Sequence, residues 1–188
     1  MSKNTNDSEI KIKKYRETDI AIIIPTKDRP ERIKKLLSSI TEQSNDCGRI
    51  IVIDGGEGVK DIVMSFADRL PVEHYECYPP GQIKQRNMAI SLLDEETGLV
   101  AILDDDIVLQ PGAISSMIDC WNRKESDTAG IGFNIINNGK ENKTWWRKIF
   151  LMTSDTPGRV LISGSTSQTC PTDNDIRCQW LCGGATVW

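Results

Sequence analysis

Residues 20–40 read IAIIIPTKDRPERIKKLLSSI, an apolar run followed by a helical pattern. The run 20–24 is apolar at every position, which is typical of a strand that is buried on both faces of a parallel sheet. Pro25 ends this run, and Pro30 suits the first turn of a helix. Four apolar residues then follow at the spacing of one helical face: Ile33, Leu36, Leu37 and Ile40. The stretch therefore predicts a strand that leads directly into an amphipathic helix.

The same alternation continues along the chain. The later predicted elements are strand 50–53, helix 59–70, strand 72–78, a weaker helix 82–93, strand 99–103, a helix opened by Pro111 and a strand over 129–136. Strands that alternate with helices imply an α/β fold with a mostly parallel sheet. We expect one such domain over 19–188, preceded by a flexible polar segment over 1–18.

Composition restricts the classes of function. The chain has 188 residues, with 23 Lys and Arg against 27 Asp and Glu and a net charge of -4. This balance lacks the basic excess of a nucleic-acid-binding protein, so we expect no nucleic-acid partner. Residues 1–18 hold no apolar core and do not resemble a signal peptide. The longest apolar run, 20–25, is far shorter than the ~20 residues of a membrane-spanning helix. We therefore expect a cytoplasmic protein.

Residues 145–150 read WWRKIF, an aromatic and basic segment with two interpretations. It could form an interfacial contact with a membrane, which would bring the protein to the inner face as a peripheral protein. Alternatively, its rings pack over the core or over a neighbouring segment.

Cysteine and histidine content argues against two other kinds of site. Cys170, Cys178 and Cys182 lack the close pairing of a zinc ribbon, and free reduced thiols are expected instead. His74 is the only histidine, which argues against a Ser-His or Cys-His nucleophile.

Polar residues cluster where three predicted strands end. The first strand ends at residues 25–29, the second at Asp54, and strand 99–103 runs into Asp104, Asp105 and Asp106. Ligands of open α/β sheets bind at these carboxyl ends. Adjacent ionised carboxylates favour a divalent cation such as Mg²⁺ or Mn²⁺, which substrate phosphates would help to hold.

Four basic residues could share the charge of such a phosphate: Lys27, Arg29, Lys84 and Arg86. The sequence contains neither the G-x-x-x-x-G-K-[ST] loop of P-loop proteins nor a G-x-G-x-x-G motif after the first strand. A bound diphosphate would therefore be held by a metal and by side chains.

Six segments, taken in order, resemble landmarks of family 2 glycosyltransferases. They are 22–30 (IIIPTKDRP), 51–56 (IVIDGG), Gly81 with 86–89 (RNMA), 103–106 (LDDD), 157–161 (PGRVL) and 180–184 (WLCGG). Any one of these segments is a weak signal, but six in the right order form a strong one. The resemblance implies a three-layer α/β/α glycosyltransferase-A fold and a nucleotide-diphosphate-sugar donor.

The resemblance also implies roles for individual residues. Asp54 would accept a hydrogen bond from the nucleobase, and Arg86 would lie near the base or the diphosphate. Asp104 would lie by the ribose and the metal, and Asp106 would hold the metal, so these two are the candidate catalytic and metal-binding residues. The nucleotide-sugar-binding set that it implies is Pro25, Thr26, Arg29, Asp54, Gly81, Arg86 and Asp104. The implied metal is Mg²⁺ or Mn²⁺.

The implied reaction transfers a hexose from a UDP-, GDP- or dTDP-sugar, with inversion, to a saccharide or lipid-linked acceptor in cell-surface polysaccharide biosynthesis. Two departures from the family pattern stand out. The familiar pair of aspartates after the second strand is Asp54-Gly55 here. No residue before Trp188 matches the family's acidic general base, so we expect a C-terminally truncated chain with an incomplete acceptor side.

Two alternatives remain open. The chain could be a catalytically incomplete module that binds a nucleotide sugar and needs further sequence or a partner. It could also be another metal-dependent phosphate enzyme, such as a nucleotidyltransferase or nuclease, which would need further carboxylates from other strands.

Overall fold

The structure is a computed structural model that describes residues 14–43, 47–139 and 144–188. A short 3-10 turn, Glu17–Asp19, precedes the first strand. The strands are β1 (Ile20–Thr26), β2 (Arg49–Asp54), β3 (Val72–Glu76), β4 (Leu99–Leu103), β5 (Ile131–Gly132) and β6 (Ala185–Val187). The helices are α1 (Pro30–Thr41), α2 (Lys60–Met64), α3 (Gln82–Ser91), α4 (Ala113–Arg123) and α5 (Trp145–Ile149).

The strands form one sheet in the order β3-β2-β1-β4-β6-β5. Strand β1 is parallel to β2 and β4, and β2 is parallel to β3. Strand β6 lies between β4 and β5 and is antiparallel to both. The predicted α/β fold with a mostly parallel sheet is confirmed, with its antiparallel part confined to one end.

Helices cover both faces of this sheet. Ile22 and Ile24 of β1 pack in a cluster with buried side chains of α1, α2 and α4. Ile23 packs in a second cluster with Ala89 of α3. Successive side chains of a strand point to opposite faces, so burial on both faces explains why residues 20–24 are all apolar. The arrangement is a three-layer α/β/α domain.

Five predicted elements are shorter than the sequence pattern indicated. Strand β3 ends at Glu76 rather than at 78, and α3 ends at Ser91 rather than at 93. Helix α2 ends at Met64, although Phe66 and Leu70 of the same stripe are buried. Helix α4 begins at Ala113 rather than at Pro111, because Gly112 before it adopts a left-handed conformation with φ 76°. The strand expected over 129–136 is reduced to the two-residue edge strand β5, which pairs with the three-residue β6.

The N-terminal boundary also differs from the expectation. Most of the predicted flexible segment, residues 1–13, lies outside the described residues. Tyr15, however, packs on α4. Its backbone N–H donates to Asn122 Oδ1 at 2.8 Å, Asn122 Nδ2 donates to its carbonyl at 2.9 Å, and its ring meets the Trp121 ring edge-on. The folded domain therefore includes residues before 19.

Two findings bear on membrane contact. In the described part of the chain, no helix has the length and apolar character needed to cross a bilayer. Helix α5 has no buried residue, so the interpretation that its tryptophans pack over the core is wrong.

Candidate functional site

A cavity of about 460 Å³ lies at the carboxyl ends of β1 and β4. The turns after these two strands and the start of α3 form its wall. Its lining residues are Pro25, Thr26, Lys27, Arg29, Pro80, Gly81, Gln82, Gln85, Asp104, Asp105 and Asp106. This position matches the general rule that open α/β sheets bind ligands beyond their strand ends.

Asp105, the middle residue of the three aspartates, is a buried structural residue. Its side chain is 4% exposed. Asp105 Oδ2 accepts a 2.8 Å hydrogen bond from the Thr26 hydroxyl, and Oδ1 accepts a 3.0 Å bond from the Arg29 guanidinium. Because these bonds satisfy both oxygens, Asp105 fastens the turn after β4 to the end of β1.

Asp104 is half-buried and Asp106 is exposed at the cavity, with side-chain exposures of 35% and 53%. Asp104 Oδ1 accepts bonds from Arg86 at 2.7 Å and from Gln82 at 3.3 Å. Asp106 Oδ2 accepts a 2.9 Å bond from Arg32 of α1. Basic and amide side chains from α3 and α1 thus orient both carboxylates while leaving the second oxygen of each outside these bonds.

Gly184 provides the space that the Asp104 carboxylate occupies. A Cβ at this position would collide with Asp104 Oδ2 and Cγ. The backbone carbonyl of Gly184 also accepts a 2.8 Å bond from the Asp104 N–H. The glycine just before β6 therefore sets the position of an aspartate at the end of β4.

This arrangement fits a divalent cation that is held only in part by protein. Two carboxylates that line one cavity, each with one oxygen outside the bonds described above, are suitable hard ligands for Mg²⁺ or Mn²⁺. Among residues 14–43, 47–139 and 144–188, no group of three or more His, Cys, Asp or Glu side chains forms a metal cage. Magnesium is commonly held by one or two carboxylates together with substrate phosphates, and Asp104 and Asp106 offer that number.

The predicted nucleotide-binding residues divide into two groups. Five of the seven line the cavity: Pro25, Thr26, Arg29, Gly81 and Asp104. Arg86 and Asp54 are not among the lining residues. Arg86, 22% exposed, acts on the cavity through its ion pair with Asp104.

Asp54 is enclosed at the end of β2. Its side chain is 2% exposed, and Oδ1 accepts a 2.9 Å bond from the Gly56 N–H. Oδ2 lies 3.5 Å from Nε2 of His74, which is itself buried on β3. A role of Asp54 toward a nucleobase therefore stays a prediction.

The two remaining basic candidates, Lys27 and Lys84, differ in their position relative to the cavity. Lys27 is exposed and lines the cavity. Lys84 lies outside the lining and donates from Nζ to the Tyr78 carbonyl at 2.8 Å. Lys27 and Arg29 are thus the two predicted phosphate-facing cations that the fold brings to the cavity.

Gln85 is a site residue that sequence reasoning missed. It is buried, and its Nε2 donates to the Thr26 carbonyl at 2.6 Å and to the Ile53 carbonyl at 2.8 Å. The amide thereby joins the ends of β1 and β2 beneath the cavity. One feature of the sequence could have indicated its burial. Gln85 lies four residues before Ala89, so both residues fall on the same, buried face of α3, a helix with a weak apolar pattern.

The same region explains why a glycine follows Asp54. A Cβ at Gly55 would lie 2.8 Å from Pro80 Cβ and 3.2 Å from Gln85 Nε2. A second aspartate after β2 would collide with the segment that leads into α3. The departure from the paired aspartates therefore follows from close packing against Pro80.

A second cavity, of about 670 Å³, lies between α4, β5 and the segment 169–182. Four cysteines lie around it: Cys120, Cys170, Cys178 and Cys182. Burial, with the nearby Asp175 carboxylate, raises the pKa of the Cys120 thiol. This cavity is larger than the first one. The carboxylates of Asp104 and Asp106 and the carboxyl ends of β1 and β4, however, lie at the first cavity, which is therefore the candidate site.

Comparison with known proteins identifies a family and a fold. The model of the glycosyl transferase family 2 domain matches residues 21–179. The mannosyltransferase PcManGT from Pyrobaculum calidifontis, solved in complex with GDP-Man and Mn²⁺, is 18% identical with a TM-score of 0.54. The match covers 63% of this chain and 35% of that protein. This likeness confirms the predicted glycosyltransferase-A fold.

Two structures of TarS residues 1–349 from S. aureus are also similar. The first is 21% identical with a TM-score of 0.48, and covers 53% of this chain and 32% of that one. The second, in complex with UDP-GlcNAc, is 20% identical with a TM-score of 0.46, and covers 53% and 31%. The match thus spans about a third of the length of each of these three solved chains. No curated protein matches the sequence.

Proposed function

The chain belongs to glycosyl transferase family 2, and we propose that it transfers a sugar from a nucleotide-diphosphate-sugar donor to an acceptor. The main support for this proposal is that the carboxylates of Asp104 and Asp106 line a cavity at the carboxyl ends of β1 and β4. The match covers 35% of the mannosyltransferase chain, so membership of the family does not by itself establish the reaction. The transfer of a sugar is therefore part of the proposal.

The cavity offers a separate set of groups to each part of the nucleotide sugar. Pro25, Thr26 and Gly81 line it beside the strand ends and would contact the nucleoside. Lys27 and Arg29 would balance the negative charge of the diphosphate. Asp54 would accept an N–H of the base, which uracil, guanine and thymine all possess, so the proposal covers UDP-, GDP- and dTDP-sugars.

Asp104 and Asp106 would hold Mg²⁺ or Mn²⁺ on the diphosphate. When bound, such an ion stabilises the departing diphosphate as a Lewis acid. Arg86 and Gln82 orient Asp104, and Arg32 orients Asp106, so both carboxylates are fixed before the ligand arrives. Fixing charged groups in advance lowers the cost of reorganisation during the reaction.

The family resemblance extends the proposal to the acceptor and to the stereochemistry. The acceptor would be a saccharide or a lipid-linked saccharide, in cell-surface polysaccharide biosynthesis at the cytoplasmic face of the membrane. An inverting displacement needs a base near the acceptor hydroxyl, and we assign that role to no residue.

The test combines binding with turnover. The protein is incubated with the diamagnetic ion Mg²⁺ and, in turn, UDP-GlcNAc, GDP-mannose and dTDP-glucose, and binding is followed by saturation-transfer NMR. We expect one of the three to bind to wild-type protein and to bind more weakly to Asp106→Asn. Release of nucleoside diphosphate, with the anomeric configuration of the product read by NMR, then tests transfer and inversion.

The outcomes distinguish the proposal from its alternatives. Binding with turnover supports the transferase. Binding without turnover across a panel of saccharide acceptors favours the incomplete nucleotide-sugar-binding module. Folded protein that binds none of the three sugars contradicts both. A nucleotidyltransferase or nuclease with a two-metal site would need additional carboxylates, and the described residues hold no such group.

A further inference from the structure

The chain carries a large apolar surface away from both cavities. It is formed by α5, by the residues that follow α5, and by one residue of a later loop. We call this surface the aromatic patch, and its residues are Trp145, Trp146, Ile149, Phe150, Leu151, Met152 and Ile162. Each is between 40% and 95% exposed.

Ring contacts and one hydrogen bond bring residues of the patch together. The rings of Trp145 and Trp146 stack with centroids 3.6 Å apart, and the Trp146 and Phe150 centroids lie 6.4 Å apart. The Ser163 hydroxyl donates to the Leu151 carbonyl, which brings the loop with Ile162 beside the others. Exposed apolar residues scattered singly need no explanation, but a contiguous patch marks an interaction surface.

The charges within the patch are all positive. Arg147 and Lys148 lie on α5 among the aromatic residues, and residues 144–154 contain no acidic side chain. Arg147 donates to the Met152 carbonyl at 3.3 Å, while Lys148 is exposed. The whole chain has a net charge of -4, so this positive charge is local to the patch.

We propose that the aromatic patch docks on the surface of an anionic lipid bilayer. Tryptophan rings favour the headgroup level of a bilayer, and adjacent Lys and Arg side chains are attracted by anionic headgroups. Because a bilayer is fluid, its headgroup region can adapt to the uneven outline of the exposed rings. The five-residue α5 is far too short to span a bilayer, so the contact is interfacial.

The proposal rests on exposure and charge and is independent of the proposed transfer reaction. Along the chain, the patch is followed by the segment that ends at Gly184 beside the cavity. After the patch, the chain is held by a bond from the Trp180 indole N–H to the Ser167 carbonyl at 3.0 Å. It then reaches Gly184, which contacts Asp104.

The test measures flotation of the protein with vesicles of phosphatidylcholine alone or mixed with phosphatidylglycerol. We expect wild-type protein to float with the mixed vesicles and the Trp145→Ala/Trp146→Ala variant to lose at least about tenfold in partitioning. Lys148→Gln should lose about fivefold on the mixed vesicles only. Two substitutions of exposed residues elsewhere, Met64→Ala on α2 and Lys34→Gln on α1, serve as controls and should bind like wild type.

Three results would overturn the proposal. The first is wild-type protein that binds neither kind of vesicle. The second is binding that the double tryptophan variant retains in full. The third is a dimer, detected by light scattering, that depends on the tryptophans while vesicle binding does not. Circular dichroism checks the fold of every variant, and Phe150→Ser/Ile162→Ser tests the same patch through different residues.

Discussion

The hydroxyl of Thr26 donates a 2.8 Å hydrogen bond to Asp105 Oδ2, and this bond joins the end of β1 to the turn after β4. Both partners are buried, at 3% and 4% exposure. The bond keeps the middle aspartate buried in the cavity wall, whereas the Asp104 and Asp106 side chains are 35% and 53% exposed. Three consecutive acidic residues therefore lie in two different environments.

This difference predicts unequal effects on stability for two neighbouring substitutions. Asp105→Ala should lower the free energy of unfolding by about 2–3 kcal/mol, because it leaves the buried Thr26 hydroxyl without its acceptor. Asp106→Ala should change it by less than about 1 kcal/mol, since its ion pair with Arg32 is exposed. Urea unfolding measures both values. Equal losses of stability would show that the middle aspartate is not the structural one.

A methyl group at Gly184 should impair the site without unfolding the domain. In Gly184→Ala the new Cβ displaces the Asp104 carboxylate, and we expect affinity for a nucleoside diphosphate in the presence of Mn²⁺ to fall at least about tenfold. Gly139→Ala is the matched control, because no atom lies within 4 Å of its Cβ position. Isothermal titration compares the two variants. Unchanged binding by Gly184→Ala would contradict the assignment of Asp104.

One ion pair away from the site predicts a pH dependence of stability. Arg49 donates two hydrogen bonds to Glu73, at 2.7 and 2.9 Å, and the Tyr75 hydroxyl donates a third at 2.8 Å. The bond from Arg49 is the main cause that lowers the pKa of Glu73, and Tyr75 lowers it further. A carboxylate whose pKa is lowered by folding stabilises the protein above its unfolded pKa, and this contribution is lost as the pH falls.

Glu73→Gln should therefore lower the free energy of unfolding by about 0.5–1 kcal/mol at neutral pH. The gap between variant and wild type should begin to close as the pH falls through the ordinary pKa of glutamate, about 4.3, and should vanish below the lowered pKa of Glu73 in the folded protein. Unfolding titrations across this range measure the gap. Glu125→Gln, whose pair with Arg177 is exposed, is the control and should show little difference at either pH. A gap of constant size would refute the coupling.

The sequence predicts the parts of this protein that depend on periodicity and strand ends. The apolar runs at 20–24 and 99–103 indicated two-sided burial, and this is enough to bring the turns after β1 and β4 to one edge of the sheet. Asp104, Asp106 and Arg29 then meet at the cavity because parallel strands share that edge.

The sequence does not predict contacts that depend on how side chains meet across elements. Three adjacent aspartates look equivalent in a sequence, and only the position of Thr26 selects Asp105 for burial. Gln85 resembles a surface residue of a weak helix until its amide is seen to bridge two strand ends. The enclosure of Asp54 likewise depends on His74 from the neighbouring strand, a pairing that the sequence does not reveal.

The most direct test of the central claim is isothermal titration of the protein with UDP, GDP and dTDP, in Mn²⁺ and again in EDTA. We predict that one of these nucleotides binds in Mn²⁺, that EDTA weakens binding at least about tenfold, and that Asp106→Asn removes this difference. Asp68→Asn, a substitution of an exposed acidic residue away from the cavity, should behave like wild type. Folded protein that binds none of the three nucleotides, or binds one equally well in Mn²⁺, in EDTA and with Asp106→Asn, would contradict the account.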